Sequence, residues 1–181
     1  MYMIVGLGNP GFEYERSRHN AGFMFLDALV EKIAAPAFAL QKNVEAQLSK
    51  HSNYVLVKPM TFMNDSGKAA RAVLEFYKDS IKEGFPNNTI AVYDDLDIEF
   101  GSYQIKQATA PKAHNGVLSL TAYLKTNAFW HVRIGVDNRT GDRTIPGSNY
   151  VLQHFTIEEQ QQLKLLFSTQ LLPDFLTRFA Q

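Results

Sequence analysis

Side chains capable of acid–base chemistry and of binding a polar substrate follow several predicted strands. A histidine imidazole can act as a general base near neutral pH, and a carboxylate can orient such an imidazole and stabilise its protonated form. Asparagine amides both donate and accept hydrogen bonds, which suits an ester carbonyl, a peptide backbone or a water molecule. The strand ends carry these groups in four segments: Asn9 with His19, Phe62 to Asn64, Asp94, and His114 with Asn115.

Each of these residues also has a simpler interpretation. Asn9 precedes Pro10 and is typical of a turn, while His19 and Asn64 stand where predicted helices begin and could be capping or surface residues. Ligands of open α/β sheets bind beyond the carboxyl ends of the strands. The hypothesis of one shared site therefore depends on all four segments together.

A dinucleotide fingerprint is the first alternative, because residues 6–11 match G-x-G-x-x-G. In that fingerprint the helix opens inside the glycine motif and directs its N-terminus at the pyrophosphate. Here Pro10-Gly11 makes a further turn, and the acidic residue expected at the end of a second strand is missing, since Asp27 and Glu31 lie on a predicted helix. The pattern therefore argues against a nucleotide cofactor.

A metal site is the second alternative. The segment Asp94-Asp95-Leu96-Asp97 could bind Mg²⁺ through carboxylate oxygens, or it could be a solvated turn. The five histidines are too scattered to resemble a zinc ligand set, and the absence of cysteine excludes thiolate ligands. We predict neither a metal nor a cofactor.

Composition narrows the class of protein. The chain has 181 residues, 45% hydrophobic and 20% charged, which is typical of a globular protein, and we expect a single domain over residues 1–181. We expect neither a secretory signal nor a membrane span, and the lack of cysteine suits a reducing cytoplasm. With zero net charge and a pI near 7, a polyanionic partner would need a local basic patch.

Hydrophobic periodicity predicts the elements that must position the polar groups. Strands alternate with helices, but a hairpin at His51-Ser52-Asn53 interrupts the series, which predicts an α/β three-layer sandwich with a mixed, mostly parallel sheet flanked by helices. The predicted strands are 3–5, 44–48, 54–57, 89–93, 103–106 and 130–136. The predicted helices are 20–34, with Asn20 as the cap, 66–77, 114–124 and 157–179.

Taken together, the motifs resemble the bacterial peptidyl-tRNA hydrolase family. The resemblance covers nearly the whole chain, and the motifs come in the order of the family. They are the strand and Asn-Pro-Gly loop with tyrosine and Arg-His-Asn in 4–23, the segments 58–67, 94–97 and 114–116, and the strand 132–136. The resemblance implies a mixed sheet sandwiched by helices and hydrolysis of the ester that joins a peptide to the terminal ribose of tRNA.

The resemblance also implies roles for single residues. His19 would be the general base that activates a water molecule, and Asp94 would orient its imidazole. Asn9 would meet the acylated nitrogen of a peptidyl group and so spare aminoacyl-tRNA. Asn64 and Asn115 would contact the substrate.

Four further residues would bind the nucleic acid or the peptide. Tyr14 and Phe62 offer flat surfaces for the terminal adenosine or the peptide, and Lys106 and Arg133 match positions that contact tRNA phosphates, although both could be solvated surface charges. The family implies peptidyl-tRNA as the partner, a cytoplasmic location, a role in translation and a monomer with no obligate protein partner.

The chain departs from the family at residues 108–113, where Ala-Thr-Ala-Pro-Lys-Ala replaces a glycine-rich run before His114. Pro111 fixes φ and removes an amide donor, so we expect a stiffer loop in an active enzyme. Two other functions stay open at this point, namely an RNA-binding protein on the same scaffold that has lost catalysis, and a general esterase for small substrates.

Overall fold

The structure is a computed structural model that describes residues 1–108, 113–139 and 143–179. Positions 109–112, which hold most of the departing loop, lie outside the described residues. No helix within the described ranges is long and apolar enough to cross a membrane.

The described chain forms one mixed sheet of seven strands in the order β2-β3-β4-β1-β5-β7-β6. The four central strands, β4, β1, β5 and β7, run parallel, while β2 with β3 on one side and β6 on the other are antiparallel to their neighbours. The strands are β1 Tyr2–Gly6, β2 Ala39–Gln41, β3 Ala46–His51, β4 Tyr54–Pro59, β5 Thr89–Glu99, β6 Tyr103–Gln107 and β7 Trp130–Asp137.

Helices connect the strands and cover both faces of the sheet. They are α1 Ala21–Lys32, α2 Ser66–Phe76, α3 Lys78–Ile81, α4 Asn115–Leu124, α5 Gly147–Tyr150, α6 Ile157–Leu166 and α7 Leu172–Phe179, with a π-helical stretch Phe167–Leu171 between the last two. The single helix predicted over 157–179 is thus two helices joined by that stretch. Short 3₁₀ turns lie at Phe12–Tyr14, Arg18–Asn20, Lys42–Val44, Met63–Asp65 and Lys82–Gly84.

Two hydrophobic cores fill the space between sheet and helices. One contains Val73 of α2 and Leu120 of α4 against strand residues such as Val5. The other contains Phe25 of α1 and Phe175 of α7 against strand residues such as Ile4. Because β1 alternates side chains between the two faces, neighbouring residues of one strand belong to different cores, and the predicted three-layer sandwich is confirmed.

Strand β5 is longer than predicted. The polar run after Tyr93 suggested that the strand ends there, but β5 continues to Glu99, because Asp94 and Asp95 pair with Ile134 and Gly135 of β7. A register irregularity follows before Glu99 pairs with Asp137. Asp94 and Asp95 are therefore ladder residues with fixed backbones and not members of a solvated turn.

Close approach of α1 to the sheet determines where the turn before it lies. A Cβ atom on Gly22 would overlap the carbonyl oxygen of Val92 and the backbone of Leu7, so only glycine allows this approach. The first turn of α1 therefore lies directly over β1 and β5. As a result the 3₁₀ turn Arg18–Asn20 is held beside the strand that carries Asp94.

Candidate active site

The His19 imidazole is hydrogen-bonded to the Asp94 carboxylate. Nδ1 of His19 lies 2.8 Å from Oδ1 and 3.0 Å from Oδ2 of Asp94. Asp94 is 1% exposed, whereas His19 is half-buried in the middle of the turn Arg18–Asn20. Nε2 of His19 has no hydrogen-bond partner within the described residues, and His19 lines a cleft of about 930 Å³. One ring nitrogen is thus fixed, and the other is available to a molecule in the cleft.

The two groups shift each other's pKa. Burial lowers the pKa of His19, but the charge of Asp94 and its hydrogen bond outweigh burial, so that the pKa is raised above its ordinary value. For Asp94, burial raises the pKa, but the attraction of His19 and His114 holds it well below its usual range. The pair therefore favours an ionised carboxylate and stabilises an imidazolium more than water would. The pKa of His19 therefore lies above the ordinary value of a histidine, about 6.5.

His114 donates to the same carboxylate oxygen. Its Nε2 lies 2.9 Å from Oδ1 of Asp94, and its ring centroid is 4.9 Å from that of His19. The backbone N–H of Val117 donates to Nδ1 of His114 at 3.4 Å, so His114 caps α4. With Nδ1 as an acceptor, the ring proton lies on Nε2 and points at Asp94.

Asn9 is held so that its amide nitrogen is left for the cleft. Its Oδ1 accepts from the backbone N–H of Met63 at 2.8 Å. The Asn20 side chain pairs with both backbone groups of Asn9, accepting at 2.9 Å and donating at 3.0 Å. Nδ2 of Asn9 has no partner among the described residues. Asn20, predicted as a helix cap, makes no side-chain cap and instead fixes the Asn9 loop.

The turn that carries His19 is attached to a distant part of the chain. The backbone N–H groups of Arg18 and His19 donate to the carbonyls of Gln153 and Val151, and the Arg18 guanidinium forms a buried ion pair with Glu159 of α6. The sequence analysis assigned no role in the site to Arg18, Asn20 or Glu159. The available signals were the Arg-His-Asn motif, which places Arg18 and Asn20 on either side of His19, and the spacing of Thr156 and Glu159, which is that of a capping box.

Most of the other predicted substrate residues line the cleft. Tyr14, Phe62, Asn64 and Asn115 all border it with Asn9, His19, Asp94 and His114. Phe62 is 59% exposed, which leaves its ring open to a stacking partner. The opposite wall comes from segments after β7, and it is formed by Arg139, Arg143, Ile145, Pro146, Gly147, Ser148, Val151 and Leu152.

The two predicted phosphate contacts lie outside this lining. Lys106 is exposed on β6. Arg133 donates from Nε to Oδ2 of Asp95 at 2.6 Å, and its side chain is only 11% exposed. Arg133 is therefore already engaged in an ion pair between β5 and β7, which the sequence did not reveal.

The acidic segment after Tyr93 does not converge on a common point. Asp94 faces the two histidines, whereas Asp95 pairs with Arg133 and accepts from the backbone N–H of Asp97. Within the described ranges, the three side chains close enough to hold an ion together are His19, Asp94 and His114, whose ligand atoms lie within 4.8 Å of one another. Hydrogen bonds from both rings already join these three groups through Asp94, and an ion bound to its carboxylate would compete with them.

Fold and site define an α/β protein with a hydrogen-bonded histidine–aspartate pair at the carboxyl edge of a mixed sheet. The family model of peptidyl-tRNA hydrolases matches residues 3–176. The chain is 40% identical over 168 residues to the peptidyl-tRNA hydrolase of Alkaliphilus metalliredigens, covering 91% of this chain and 85% of that protein. It is 40% identical over 163 residues to that of Campylobacter curvus, covering 90% and 82%.

A solved structure agrees with these sequence relatives. The crystal structure of peptidyl-tRNA hydrolase from Acinetobacter baumannii superposes with a TM-score of 0.83 at 28% identity, covering 97% of this chain and 87% of that one. The chain belongs to the peptidyl-tRNA hydrolase family, a family of enzymes that hydrolyse an ester bond, and the resemblance found in the motifs is confirmed.

Proposed function

We propose that the protein hydrolyses the ester between a peptide and the terminal ribose of tRNA, with His19 as the general base. The observation that carries the proposal is the hydrogen bond from His19 Nδ1 to Asp94, which leaves Nε2 facing the cleft. A base for this reaction must lie within hydrogen-bond reach of a water molecule and must be oriented by a second group. Family membership supplies the substrate class.

The nucleophile in this mechanism is water. No hydrogen bond joins His19 or His114 to a serine or threonine hydroxyl in the described part of the chain, and the buried Ser17 hydroxyl faces Asn20 at 3.4 Å. Water attacks the ester carbonyl while its proton passes to Nε2 of His19. When the tetrahedral intermediate collapses, the ester C–O bond breaks and the imidazolium returns the proton to the departing ribose hydroxyl.

Asp94 lowers the barrier by stabilising the imidazolium as it forms. The raised pKa of His19 reports that stabilisation, which comes from the attraction and hydrogen bond of Asp94. The same shift has a cost, because a larger fraction of His19 is protonated and inactive as a base at neutral pH. Activity should therefore increase with pH through an apparent pKa above 6.5.

Asn9 gives a basis for selecting peptidyl over aminoacyl groups. Its Oδ1 is used by Met63, which leaves Nδ2 as a donor toward the cleft. A donor there suits the carbonyl of an acylated nitrogen and disfavours a free, positively charged amine. We assign Asn64 and Asn115 on the cleft wall to the substrate backbone, and Tyr14 and Phe62 to stacking with the terminal adenosine or the peptide.

The tRNA body requires contacts beyond the cleft. Because net charge is zero, local cations must provide them. Lys106 is exposed and suits a phosphate directly, whereas Arg133 would share its guanidinium between Asp95 and a phosphate. We expect the enzyme to act as a cytoplasmic monomer.

Three substrates separate this function from the alternatives. The wild-type enzyme should hydrolyse N-acetyl-aminoacyl-tRNA, spare aminoacyl-tRNA and leave a simple small ester largely intact. His19→Ala should lower hydrolysis by orders of magnitude without loss of fold, and His51→Ala in the β3–β4 hairpin is the matched control. Binding without turnover would indicate an RNA-binding protein, and equal rates on all three substrates a general esterase.

A further inference from the structure

We propose that Arg18 and Glu159 are positioning residues that hold the His19 imidazole within hydrogen-bonding distance of Asp94. This inference rests on the function proposed above, since it assigns to the ion pair an effect on the base. It concerns contacts between the turn Arg18–Asn20 and helix α6, which lie 141 residues apart in sequence.

The guanidinium of Arg18 is enclosed and held on several sides. Nη2 lies 2.7 Å from both carboxylate oxygens of Glu159, and Nη1 donates to the carbonyl of His154 at 2.6 Å. The guanidinium also lies over the rings of Tyr150, at 4.5 Å, and Phe155, at 5.1 Å. Arg18 is only 5% exposed, so rotation of its side chain would break contacts on every side.

The position of Glu159 is itself fixed by α6. Its Oε2 accepts from the backbone N–H of Thr156 at 2.8 Å, as part of a capping box at the helix N-terminus. Its Oε1 accepts from the side-chain amide of Asn138 at 3.1 Å. A carboxylate with these fixed contacts presents one orientation to the guanidinium.

Backbone hydrogen bonds connect the segment that holds the Arg18 guanidinium to His19, the proposed base. The N–H of His19 donates to the carbonyl of Val151 at 2.8 Å, and that of Arg18 donates to Gln153 at 3.0 Å. The N–H of Phe155 donates to the carbonyl of Arg16 at 2.9 Å. The His19 turn and residues 151–155 are therefore one hydrogen-bonded unit, which the ion pair joins to α6.

The burial of this ion pair indicates that it orients the His19 turn and does not mainly stabilise the fold. Buried ion pairs contribute little net stability compared with apolar residues of the same volume, and Nε of Arg18 is buried without a partner. The planar guanidinium does, however, bind both oxygens of Glu159 through Nη2 and the carbonyl of His154 through Nη1, and these contacts restrict its position and direction together. A small displacement of a catalytic group is enough to lower a rate about a hundredfold.

A displacement of the His19 ring should be detectable through its pKa, which depends on the charged groups around it. Asp94 of β5 and His114 before α4 face the ring. Arg18 precedes His19 on the same turn, with Glu159 as its counter-ion. The other charged and titratable groups of the cleft lining are Tyr14, Asp95, Asp97, Arg139 and Arg143. A looser turn weakens the contact with Asp94. The pKa of His19, now raised by that contact, should then fall toward its ordinary value.

The test is the double variant Arg18→Met/Glu159→Gln, which keeps the net charge of the pair at zero and leaves an acceptor for the capping box. Its matched control is Arg71→Met/Glu75→Gln, which removes an exposed ion pair within α2. NMR titration of the His19 ring gives the pKa without any assay of activity, and kcat and KM are measured on N-acetyl-aminoacyl-tRNA. We expect a lower His19 pKa and kcat reduced about tenfold to a hundredfold, with KM nearly unchanged, in the first variant only.

An unchanged His19 pKa in a folded Arg18→Met/Glu159→Gln protein would overturn the proposal, as would equal effects of the control. If that protein does not fold, Arg18→Lys takes its place, since lysine keeps the charge but lacks the second nitrogen that donates to the carbonyl of His154 while the first binds Glu159. An intermediate fall in the pKa supports the proposal, and no fall overturns it. Should wild-type protein fail to hydrolyse peptidyl-tRNA, the titration still decides the positioning role, so the two failures are distinguishable.

Discussion

Asp94→Asn removes the negative charge that two imidazoles share while leaving the shape of the side chain almost unchanged. In the wild type, Oδ1 accepts from His19 at 2.8 Å and from His114 at 2.9 Å in a site with 1% exposure. A hydrogen bond to a charged group contributes about 1.5–3 kcal/mol, and about 1.4 kcal/mol corresponds to tenfold in rate. In the proposed mechanism His19 is neutral at the alkaline plateau and becomes charged as it accepts the proton, so we expect kcat/KM at that plateau to fall about 10-fold to 150-fold, less than in His19→Ala.

The acidic limb of the pH profile should move as well. Burial lowers the pKa of His19, and only the charge and hydrogen bond of Asp94 raise it above its ordinary value. Without that charge the influence of burial remains, so the pKa should fall below about 6.5. His19 is then neutral down to a lower pH. The acidic limb of the kcat/KM profile therefore shifts to lower pH, while the value of kcat/KM on the alkaline plateau decreases.

Initial rates on N-acetyl-aminoacyl-tRNA across the range in which imidazole titrates measure both effects. Asp95→Asn is the matched control, because Asp95 is the neighbouring carboxylate on the same strand but pairs with Arg133 and faces no histidine. Its profile should keep the wild-type limb and lose less activity. An unshifted limb in Asp94→Asn, or an equal loss in Asp95→Asn, would refute the assignment of the orienting carboxylate.

Three further perturbations test separate parts of the site. Lys106→Ala should raise KM for full-length tRNA more than it lowers kcat and flatten the salt dependence by a log–log slope of roughly 0.7–0.9; the same loss on a short substrate ending in the terminal adenosine would contradict a phosphate contact. Activity should survive EDTA, and abolition with rescue by Mg²⁺ would revive the metal hypothesis. Burial lowers the pKa of His131, so the stability that His131 contributes should be lost as pH falls below about 6.5 toward the folded pKa, whereas His19, whose pKa is raised, acts in the opposite direction. The difference in free energy of unfolding between the wild type and His131→Gln, measured in urea, should therefore fall over this range, and a constant difference would disprove this.

The sheet was predictable because its strands carry local signals. Buried strands such as β1 and β4 are short apolar runs bounded by glycine or proline, and the β3–β4 hairpin has polar residues at its turn. Strand β2 escaped prediction because its three residues are all exposed and only pair with β3. Strand β5 was cut short because pairing with β7, a contact distant in sequence, overrides the local preference of aspartates for turns.

The site was predictable to the extent that its residues lie in motifs. Asn9, His19, Asp94 and Asn64 each stand in a recognisable segment, and the strand order brings those segments to one edge. The partner of Arg133 was not predictable from the sequence, because the ion pair exists only where β5 lies beside β7. There Arg133 pairs with Tyr93 in the ladder, and its side chain reaches Asp95 two residues further along β5.

The structure also gives a reason to propose different roles for His19 and His114. Both rings contact Asp94, so either could be considered as the base. The difference lies in the second nitrogen of each ring. Nδ1 of His114 accepts from Val117 at the start of α4, so taking a proton there would put two donors face to face. Nε2 of His19 has no partner among the described residues, so of the two rings His19 is the one that can accept a proton without breaking a contact seen there. We therefore propose His19 as the base and His114 as the group that fixes the carboxylate.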